Sequence, residues 1–364
     1  MPQGRVIPLH GEGTWAATQG MSSQNGAGTP DNTVPQGHPV PQGNEALPRV
    51  PADMPDLTPV RVMRRPSAQA DESRRASVAI PDDVTSWQDR LEELFDFLYR
   101  RLTGEYSVDE FGFDADFTDN VVMPLLRPIY QRWFRVETIG MSNVPTDGGA
   151  LVVANHSGTL PMDGLMTMAA LRDHHPAGRH LRALGADLVF RTPIIGSTAR
   201  KAGVTLACNP DAERLLQNGE LVGVWPEGFK GVGKLWKDRY KLQRFGRGGF
   251  VSAAIRAGVP IIPCSIVGAE EIYPLVADLK PVARLFGLPY FPVTPTFPLL
   301  GPLGAVPLPS KWYIAFGEPI RTDEYDVADA DDPMLVFNVT DQVRETIQQT
   351  LYRLLSQRRN AFTG

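Results

Sequence analysis

From residue 136 onward, short apolar runs alternate with longer amphipathic segments. The runs that predict buried strands are ALVVA (150–154), GVTLA (203–207), LVGVW (221–225) and PIIPCSIV (260–267). The segments between them that predict helices are 163–174, 210–219 and 246–258. Strands that are apolar throughout are typical of sheets covered on both faces, and their alternation with helices indicates an α/β fold. We therefore predict a single α/β domain, with a central, mostly β-sheet core flanked by helices.

Composition changes sharply along the 364 residues. Residues 1–82 repeat Pro-Gln-Gly, are rich in Gly, Ser and Thr, and contain hardly any aromatic residue beyond Trp15. Such a segment has too little apolar surface to offset the entropy lost on ordering, so we predict a disordered tail rich in Pro, Gly and Ser. The remainder is predicted to comprise an N-terminal helical segment (83–135), the core (136–322) and a C-terminal helix (323–364).

The N-terminal helical segment begins with SWQDRLEELFDFLYRRLTG (86–104). Its apolar residues recur at helical spacing, Ser86 can cap the start, and Gly104 can end the helix. In the next stretch, NVVMPLLRPIYQRWFRV (120–136), Pro124 and Pro128 would kink or delay a helix. Two interpretations of this stretch stay open: it packs on the domain, or it presents a basic, aromatic surface to a membrane.

Net charge and cysteine content restrict the class of protein. A net charge of −5 gives no reason to expect nucleic acid as a partner, because phosphate binding favours a basic domain. Two cysteines are too few for a disulfide framework, and the N-terminus lacks the apolar region of a signal peptide. No run of about 20 apolar residues predicts a transmembrane helix. We therefore expect a cytoplasmic protein whose contact with membranes is peripheral.

Two loops at predicted strand ends carry side chains suited to chemistry. NHSGTLPMDG (155–164) follows ALVVA and contains His156 and Asp163, and PEGFKGVGK (226–234) follows LVGVW. The second loop offers Glu227, Gly228, Lys230 and Lys234. Sites in α/β sheets form where strands end and lead into helices, so both loops are expected at one site.

Four motifs occur in a fixed order: Asn-His, Pro-Glu-Gly, Val-Pro-Ile-Ile-Pro (259–263) and Gly-Glu-Pro-Ile (317–320). In this order they resemble the glycerolipid acyltransferase superfamily (lysophospholipid acyltransferase-like) over residues 136–322. That family usually places four residues between its histidine and aspartate, whereas six separate His156 from Asp163. The longer loop ending in Pro-x-Asp-Gly resembles the branch of monoacylglycerol and diacylglycerol acyltransferase-like proteins. Gly158 and Pro161 favour a bend that returns Asp163 to the imidazole.

The resemblance implies transfer of a fatty acyl group from a thioester, acyl-CoA or acyl carrier protein, to a hydroxyl of a glycerolipid-like acceptor. This reaction needs a base for the alcohol proton, a group that orients the base, and donors for the developing oxyanion. Histidine titrates near neutral pH, so His156 fits the first role, and Asp163 fits the second. Acyl-CoA would be a co-substrate, and no cofactor or metal is expected.

The resemblance also bears on the acceptor. It implies that Glu227 and Gly228 shape the acceptor pocket and that a basic residue nearby meets a phosphate. Many members that acylate glycerol phosphates carry an arginine after the strand that matches GVTLA, where CNPD (208–211) stands here. The acceptor is then a neutral lipid alcohol, or another cation meets its phosphate. The candidates for that cation are Arg191, Arg200, Lys201 and Lys230, and Lys234 is a further predicted substrate-binding residue.

The segment 281–311 is apolar, aromatic and dense in proline. Packed inward it would be an irregular cover over the core, and exposed it would be an apolar patch that dips into a bilayer. In the second case we expect Leu285, Phe286 and Phe291 to bury apolar area in the lipid, helped by the surface of Trp133, Phe134 and Arg135.

Two other functions remain open. A lipid esterase would require a nucleophile elbow, and no Gly-x-Ser-x-Gly occurs in the chain. A catalytically silent lipid-binding protein would result if the altered His-to-Asp spacing had disabled the site. The histidines at 174, 175 and 180 are predicted to be surface residues, since no Cys or carboxylate pattern with metal-ligand spacing accompanies them.

Overall fold

The apolar runs form a central sheet in the structure, a computed structural model that describes residues 87–363. Its strands are β1 (Glu137–Ile139), β2 (Ala150–Ala154), β3 (Leu181–Gly185), β4 (Thr205–Leu206), β5 (Leu221–Val224), β6 (Ile261–Val267) and β9 (Tyr313–Phe316). The order across the sheet is β1-β9-β6-β2-β5-β3-β4. Strands β6, β2, β5, β3 and β4 are parallel, whereas β9 is antiparallel to β6. A separate ribbon pairs β7 (Ala277–Asp278) with β8 (Pro292–Val293).

Helices connect the strands and cover both faces of the sheet. They are α1 (Trp87–Thr103), α2 (Ala115–Phe117), α3 (Met123–Pro128), α4 (Met162–His174), α5 (Asp187–Arg191), α6 (Ile195–Lys201), α7 (Asn209–Gln217), α8 (Phe229–Val232), α9 (Gly249–Ala257), α10 (Lys280–Leu285) and α11 (Pro333–Gln357). Short 3₁₀ turns occupy Met141–Asn143, Trp236–Asp238, Ala269–Glu271, Gly301–Ala305 and Val327–Asp331. No helix within residues 87–363 is both long and apolar enough to cross a membrane.

Alternate side chains of the central strand β2 enter two separate hydrophobic layers. Val152 packs in one layer with residues of α3 and α4, and Val153 packs in the other with residues of α7, α9 and α11. Because strand side chains alternate between faces, a continuously apolar strand serves both layers at once. The prediction of an α/β domain with a central sheet flanked by helices is confirmed.

Strand β3 was missed by the sequence prediction because a charged residue interrupts its apolar run. Arg182 is fully buried in this strand, and its guanidinium lies 2.6 Å from a carboxylate oxygen of Asp109 and 3.2 Å from one of Glu220. The ring of Phe113 lies 4.6 Å from the guanidinium carbon. A buried charge persists only when it is paired, and here its partners come from distant parts of the chain.

The N-terminal helical segment follows the predicted course in part. Helix α1 ends at Thr103, next to Gly104 with φ of +78°, while Ser86 and the predicted tail lie outside the described residues. The later stretch remains helical through Pro124 and Pro128, with π-helical turns at Thr118–Val122 and Ile129–Trp133 flanking α3. A π-turn already lacks the regular i to i−4 bond, so helical winding persists around the prolines.

That stretch packs one face on the core. Tyr130 and Phe134 are buried in the layer that contains α4, and the Phe134 ring stacks on Trp312 with centroids 4.6 Å apart. The prediction that Phe134 contributes to an exposed surface is therefore wrong, because the helical turn directs it inward. Trp133 is exposed, and its indole Nε1 donates a hydrogen bond to the Pro307 carbonyl at 3.0 Å.

Candidate active site

The two candidate loops leave neighbouring parallel strands at the same edge of the sheet. Strands β2 and β5 are paired with Val153 opposite Val224, so the loops that follow them begin side by side. Asn155 extends the order of β2 by one residue. Its buried amide exchanges two hydrogen bonds with the backbone of Ile266 in β6, at 2.7 and 3.0 Å. This edge is where α/β sheets place their sites.

The six residues between His156 and Asp163 form a compact bend that brings the two side chains together. Gly158 has φ of +78°, and the imidazole Nδ1 of His156 lies 2.7 Å from Oδ2 of Asp163 at the start of α4. The same oxygen accepts a hydrogen bond from the backbone N–H of Ser157 at 2.9 Å. Asp163 is fully buried, whereas the His156 side chain keeps 17% of its surface exposed. An Nδ1–H donated to Asp163 leaves a lone pair on Nε2 for a substrate proton.

Glu227 holds the backbone of the histidine loop. Its Oε1 accepts a hydrogen bond from the His156 N–H at 2.9 Å, and its Oε2 accepts one from the Gln243 N–H at 2.6 Å. The Glu227 side chain is fully buried. The Pro-Glu-Gly loop therefore positions His156 through its main chain, across 71 residues of sequence.

Lys234 occupies a buried position between two carboxylates. Its Nζ lies 3.3 Å from Oε2 of Glu227 and 3.0 Å from Oε1 of Glu270, and 3% of its side chain is exposed. Burial raises the pKa of Glu270 to about 7. Burial alone would lower the pKa of Lys234, but the attraction of Glu270 and Glu227 outweighs it and raises that pKa. The ammonium is committed to these partners, and a substrate contact by Lys234 stays a prediction.

Glycines in the second loop allow close approach to the histidine. A Cβ on Gly231 would lie 2.8 Å from the Cβ of His156 and 2.8 Å from the Cβ of Glu227, closer than carbon atoms pack. Gly228 has φ of +54° and ψ of −143°, a conformation that favours glycine. The loop thus needs glycine at 231 for space and at 228 for its turn.

Among residues 87–363, the side chains of the other predicted binding residues make no hydrogen bond or ion pair with His156 or Asp163. Lys230 is exposed on α8. Arg191 is exposed on α5 and pairs with Asp187 at 2.6 Å. The Arg200 guanidinium carbon lies 4.5 Å from the Phe190 ring centroid, and Lys201 Nζ lies 5.2 Å from that of Phe117. Substrate binding by these cations stays a prediction.

The histidines beyond α4 have structural contacts. His175 is buried, with Nε2 3.1 Å from the Val144 carbonyl oxygen, so the prediction that it is a surface residue is wrong. His180 lies 3.1 Å from Asp119. Within residues 87–363, no group of three or more His, Cys, Asp or Glu side chains is arranged to hold a metal ion.

Sequence reasoning missed several residues that shape this site. Tyr290 donates a hydrogen bond from its hydroxyl to the Thr159 carbonyl in the bend, at 2.7 Å. The Trp225 ring lies beside the imidazole, with centroids 6.0 Å apart. Glu270 follows β6 in Val-Gly-Ala-Glu-Glu, and its place directly after a buried strand was the one signal that pointed to it.

A histidine paired with a buried carboxylate at the carboxyl edge of an α/β sheet is suited to activating a hydroxyl group. A sequence model of the family described as Acyltransferase matches residues 135–267, which contain both loops. Residues 135–267 belong to the acyltransferase family, the class of enzyme that the motif order predicts.

Relatives fall into two groups. The uncharacterized protein Rv0502 of Mycobacterium tuberculosis (strain ATCC 25618 / H37Rv) is 62% identical over 300 residues, covering 81% of this chain and 84% of that protein. The DGAT1/2-independent enzyme synthesizing storage lipids of Bos taurus is 27% identical over 194 residues, covering 52% of this chain and 54% of that enzyme.

Among solved structures, the 1-acyl-sn-glycerophosphate (LPA) acyltransferase PlsC of Thermotoga maritima matches with a TM-score of 0.43 and 18% identity. The match covers 66% of this chain and 82% of that one.

Proposed function

We propose that this acyltransferase moves a fatty acyl group from a thioester donor, acyl-CoA or acyl carrier protein, to a hydroxyl of a glycerolipid-like acceptor. His156 takes the proton of the attacking hydroxyl on Nε2. Asp163 orients the ring through Nδ1 and stabilises the imidazolium that forms. The acceptor oxygen attacks the thioester carbonyl, the carbon–sulfur bond breaks, and the proton on His156 passes to the departing thiolate.

The observation that carries the proposal is the 2.7 Å contact between His156 Nδ1 and the buried Asp163. Glu227 supports it by fixing the His156 main chain, so the base is held from both the ring and the backbone. Pre-positioned groups of this kind lower the barrier because their ordering is complete before the substrate arrives.

The acceptor that we favour is a neutral or head-group-substituted glycerolipid. CNPD occupies the place where a phosphate-binding arginine is common in the superfamily, and Cys208 and Asn209 supply no positive charge. The bovine relative, whose name describes it as synthesizing storage lipids, supports the same choice. We expect lysophosphatidic acid to be the poorer acceptor. A clear preference for lysophosphatidic acid that is lost in Lys230→Ala or Arg191→Ala would contradict this and assign phosphate binding to that cation.

The test is acyl-CoA consumption by purified protein over a panel of lipid acceptors. We expect His156→Ala to lower turnover by roughly 10²- to 10⁴-fold and Asp163→Asn to lower it through loss of ring orientation. His174→Ala, which changes an exposed histidine on the same helix as Asp163, is the control and should keep full activity. Normal turnover in folded His156→Ala protein would refute the mechanism. Lipid binding without turnover in the unaltered chain would indicate a catalytically silent protein, and release of fatty acid to water would indicate an esterase.

A further inference from the structure

The connection between β6 and β9 leaves the sheet at the edge that carries the active site. Strand β6 runs parallel to β2, so this connection starts beside the loop of His156. Its base is fixed: the Leu308 N–H donates to the Ile272 carbonyl at 2.9 Å, and the Tyr273 hydroxyl donates to the Ala305 carbonyl at 2.5 Å. Residues 279–306, which we term the lip, extend from that base.

The lip is apolar on its outer side. Leu299 and Leu285 keep 85% and 79% of their surface exposed. Other exposed apolar side chains of the lip are Leu279, Phe286, Leu288, Leu300, Leu303 and Val306. Phe291 is only half-buried at the surface, since its ring lies between those of Phe286 and Phe297, at 6.5 and 5.5 Å. Exposed apolar side chains concentrated in one segment indicate a surface that is covered during function.

The charge of the lip identifies what covers it. Residues 279–306 contain the exposed Lys280 and Arg284 and no acidic residue, whereas the whole chain has a net charge of −5. An apolar surface bordered by cations matches a bilayer, whose acyl chains accept leucine and phenylalanine while anionic head groups attract lysine and arginine.

The lip is also connected to the catalytic bend. Tyr290 donates to the Thr159 carbonyl, three residues beyond His156, and a Cβ on Gly233 would lie 3.5 Å from the Tyr290 ring. The hydroxyl is protonated and remains a donor at neutral pH, and burial raises the pKa of Tyr290 further, to about 12. A lip seated in lipid would therefore hold the loop of His156 at the membrane surface.

We propose that the lip docks on a bilayer with anionic head groups, so that the acceptor reaches His156 directly from the membrane. The proposal rests on the proposed function for the identity of the acceptor. Binding itself requires no turnover, so the two are tested separately.

The experiment is flotation of the full chain with phosphatidylcholine vesicles, with and without phosphatidylglycerol. Replacing Leu285, Phe286, Leu299 and Leu303 with serine should lower the vesicle-bound fraction by about tenfold or more, because each side chain buries apolar area in lipid. Lys280→Gln with Arg284→Gln should weaken binding to the anionic vesicles alone. In the matched control, serine replaces Met334 and Phe337, which are exposed apolar residues on α11. This control protein should float with the vesicles like the unaltered chain.

Separate readouts distinguish failure of docking from failure of the function. His156→Ala protein should float like the unaltered chain. The lip variant should lose turnover on vesicle-embedded acceptor and keep it on a short-chain, water-soluble acceptor. Unchanged flotation of the folded lip variant would overturn the proposal. A concentration-dependent dimer that the serine variant abolishes, without vesicle binding by either protein, would assign the lip to a second copy of the chain and also overturn it.

Discussion

At the scale of single residues, the buried group of Glu227, Lys234 and Glu270 links the stability of the fold to the position of the base. Two carboxylates share one ammonium, and one of those carboxylates also accepts the His156 N–H. Removing one member of a buried ionic group costs more than the pair itself contributes, because the partners are left desolvated and uncompensated. Lys234 therefore has a structural role in addition to any contact with substrate.

We expect Lys234→Met to lower the free energy of unfolding by about 3 kcal/mol or more, because Glu227 and Glu270 would face each other without a cation. Lys230→Met, four residues earlier on the exposed side of the same loop, should change it by less than about 0.5 kcal/mol. Urea denaturation of both variants measures the difference. Equal stabilities for the two would show that Lys234 is not held between the carboxylates in solution.

The pKa of Glu270 predicts how stability varies with pH. Burial raises this pKa to about 7 in the folded state, above the ordinary value near 4.5. Between those values the folded protein holds a proton that the unfolded chain has released, so this group lowers the free energy of unfolding as pH rises from about 4.5 to about 7. In Glu270→Gln that contribution should be absent, whereas Glu318→Gln, at an exposed position, should retain it. Denaturation curves at pH 5, 6 and 7 test this, and identical slopes in all three proteins would contradict it.

At the scale of elements, the parallel pairing of β2 with β5 places two loops from separate parts of the sequence side by side. Helix α11 supports the sheet from the opposite layer to α4, and its buried residues recur at helical spacing: Val339, Val343, Ile347, Leu351 and Leu354. The predicted C-terminal helix at 323–364 forms over Pro333–Gln357, preceded by a 3₁₀ turn. Propensity alone does not order such a helix, and the packing of its apolar face does.

Leu351→Ala is expected to lower the free energy of unfolding by about 2–5 kcal/mol, since it removes a fully buried side chain and leaves a cavity against the sheet. Tyr352→Ala, at the next position on the exposed side of α11, serves as the control and should be nearly neutral. Chemical denaturation gives both values. A small effect at Leu351 would mean that α11 is not packed on the sheet.

At the scale of the whole molecule, the described residues from Leu91 to 363 belong to one compact unit, and its two hydrophobic layers draw on residues from 111 onward. A chain that begins at residue 83 should therefore keep the midpoint of thermal unfolding and the turnover of the full protein. The physical reason is that the composition of residues 1–82 predicts no packed core of their own. Calorimetry and the acyl-transfer assay compare the two chains, and a lower midpoint for the shorter one would show that the tail contributes to the fold.

The sequence alone determined the α/β class, four of the seven strands of the central sheet and the placement of both loops at strand ends. Each of these depends on local apolar patterning, which the chain displays directly in the uninterrupted runs ALVVA and LVGVW. The order of the four motifs along the chain also pointed to the family. The family model described as Acyltransferase then matched residues 135–267.

Only the tertiary structure decided which polar side chains are buried together and which apolar ones are left outside. Arg182 is buried inside a strand and Lys234 is withdrawn from solvent, although residue type predicts exposure for both. Leu285 and Leu299 are exposed, which is one of the two alternatives that the sequence left open for segment 281–311. The cause is that burial of a polar side chain is set by partners far away in sequence. Glu227, for example, is buried where it binds the backbone of His156, 71 residues earlier in the chain. Periodicity within a segment carries no information about such partners, since they meet only when the sheet has brought its loops to one edge.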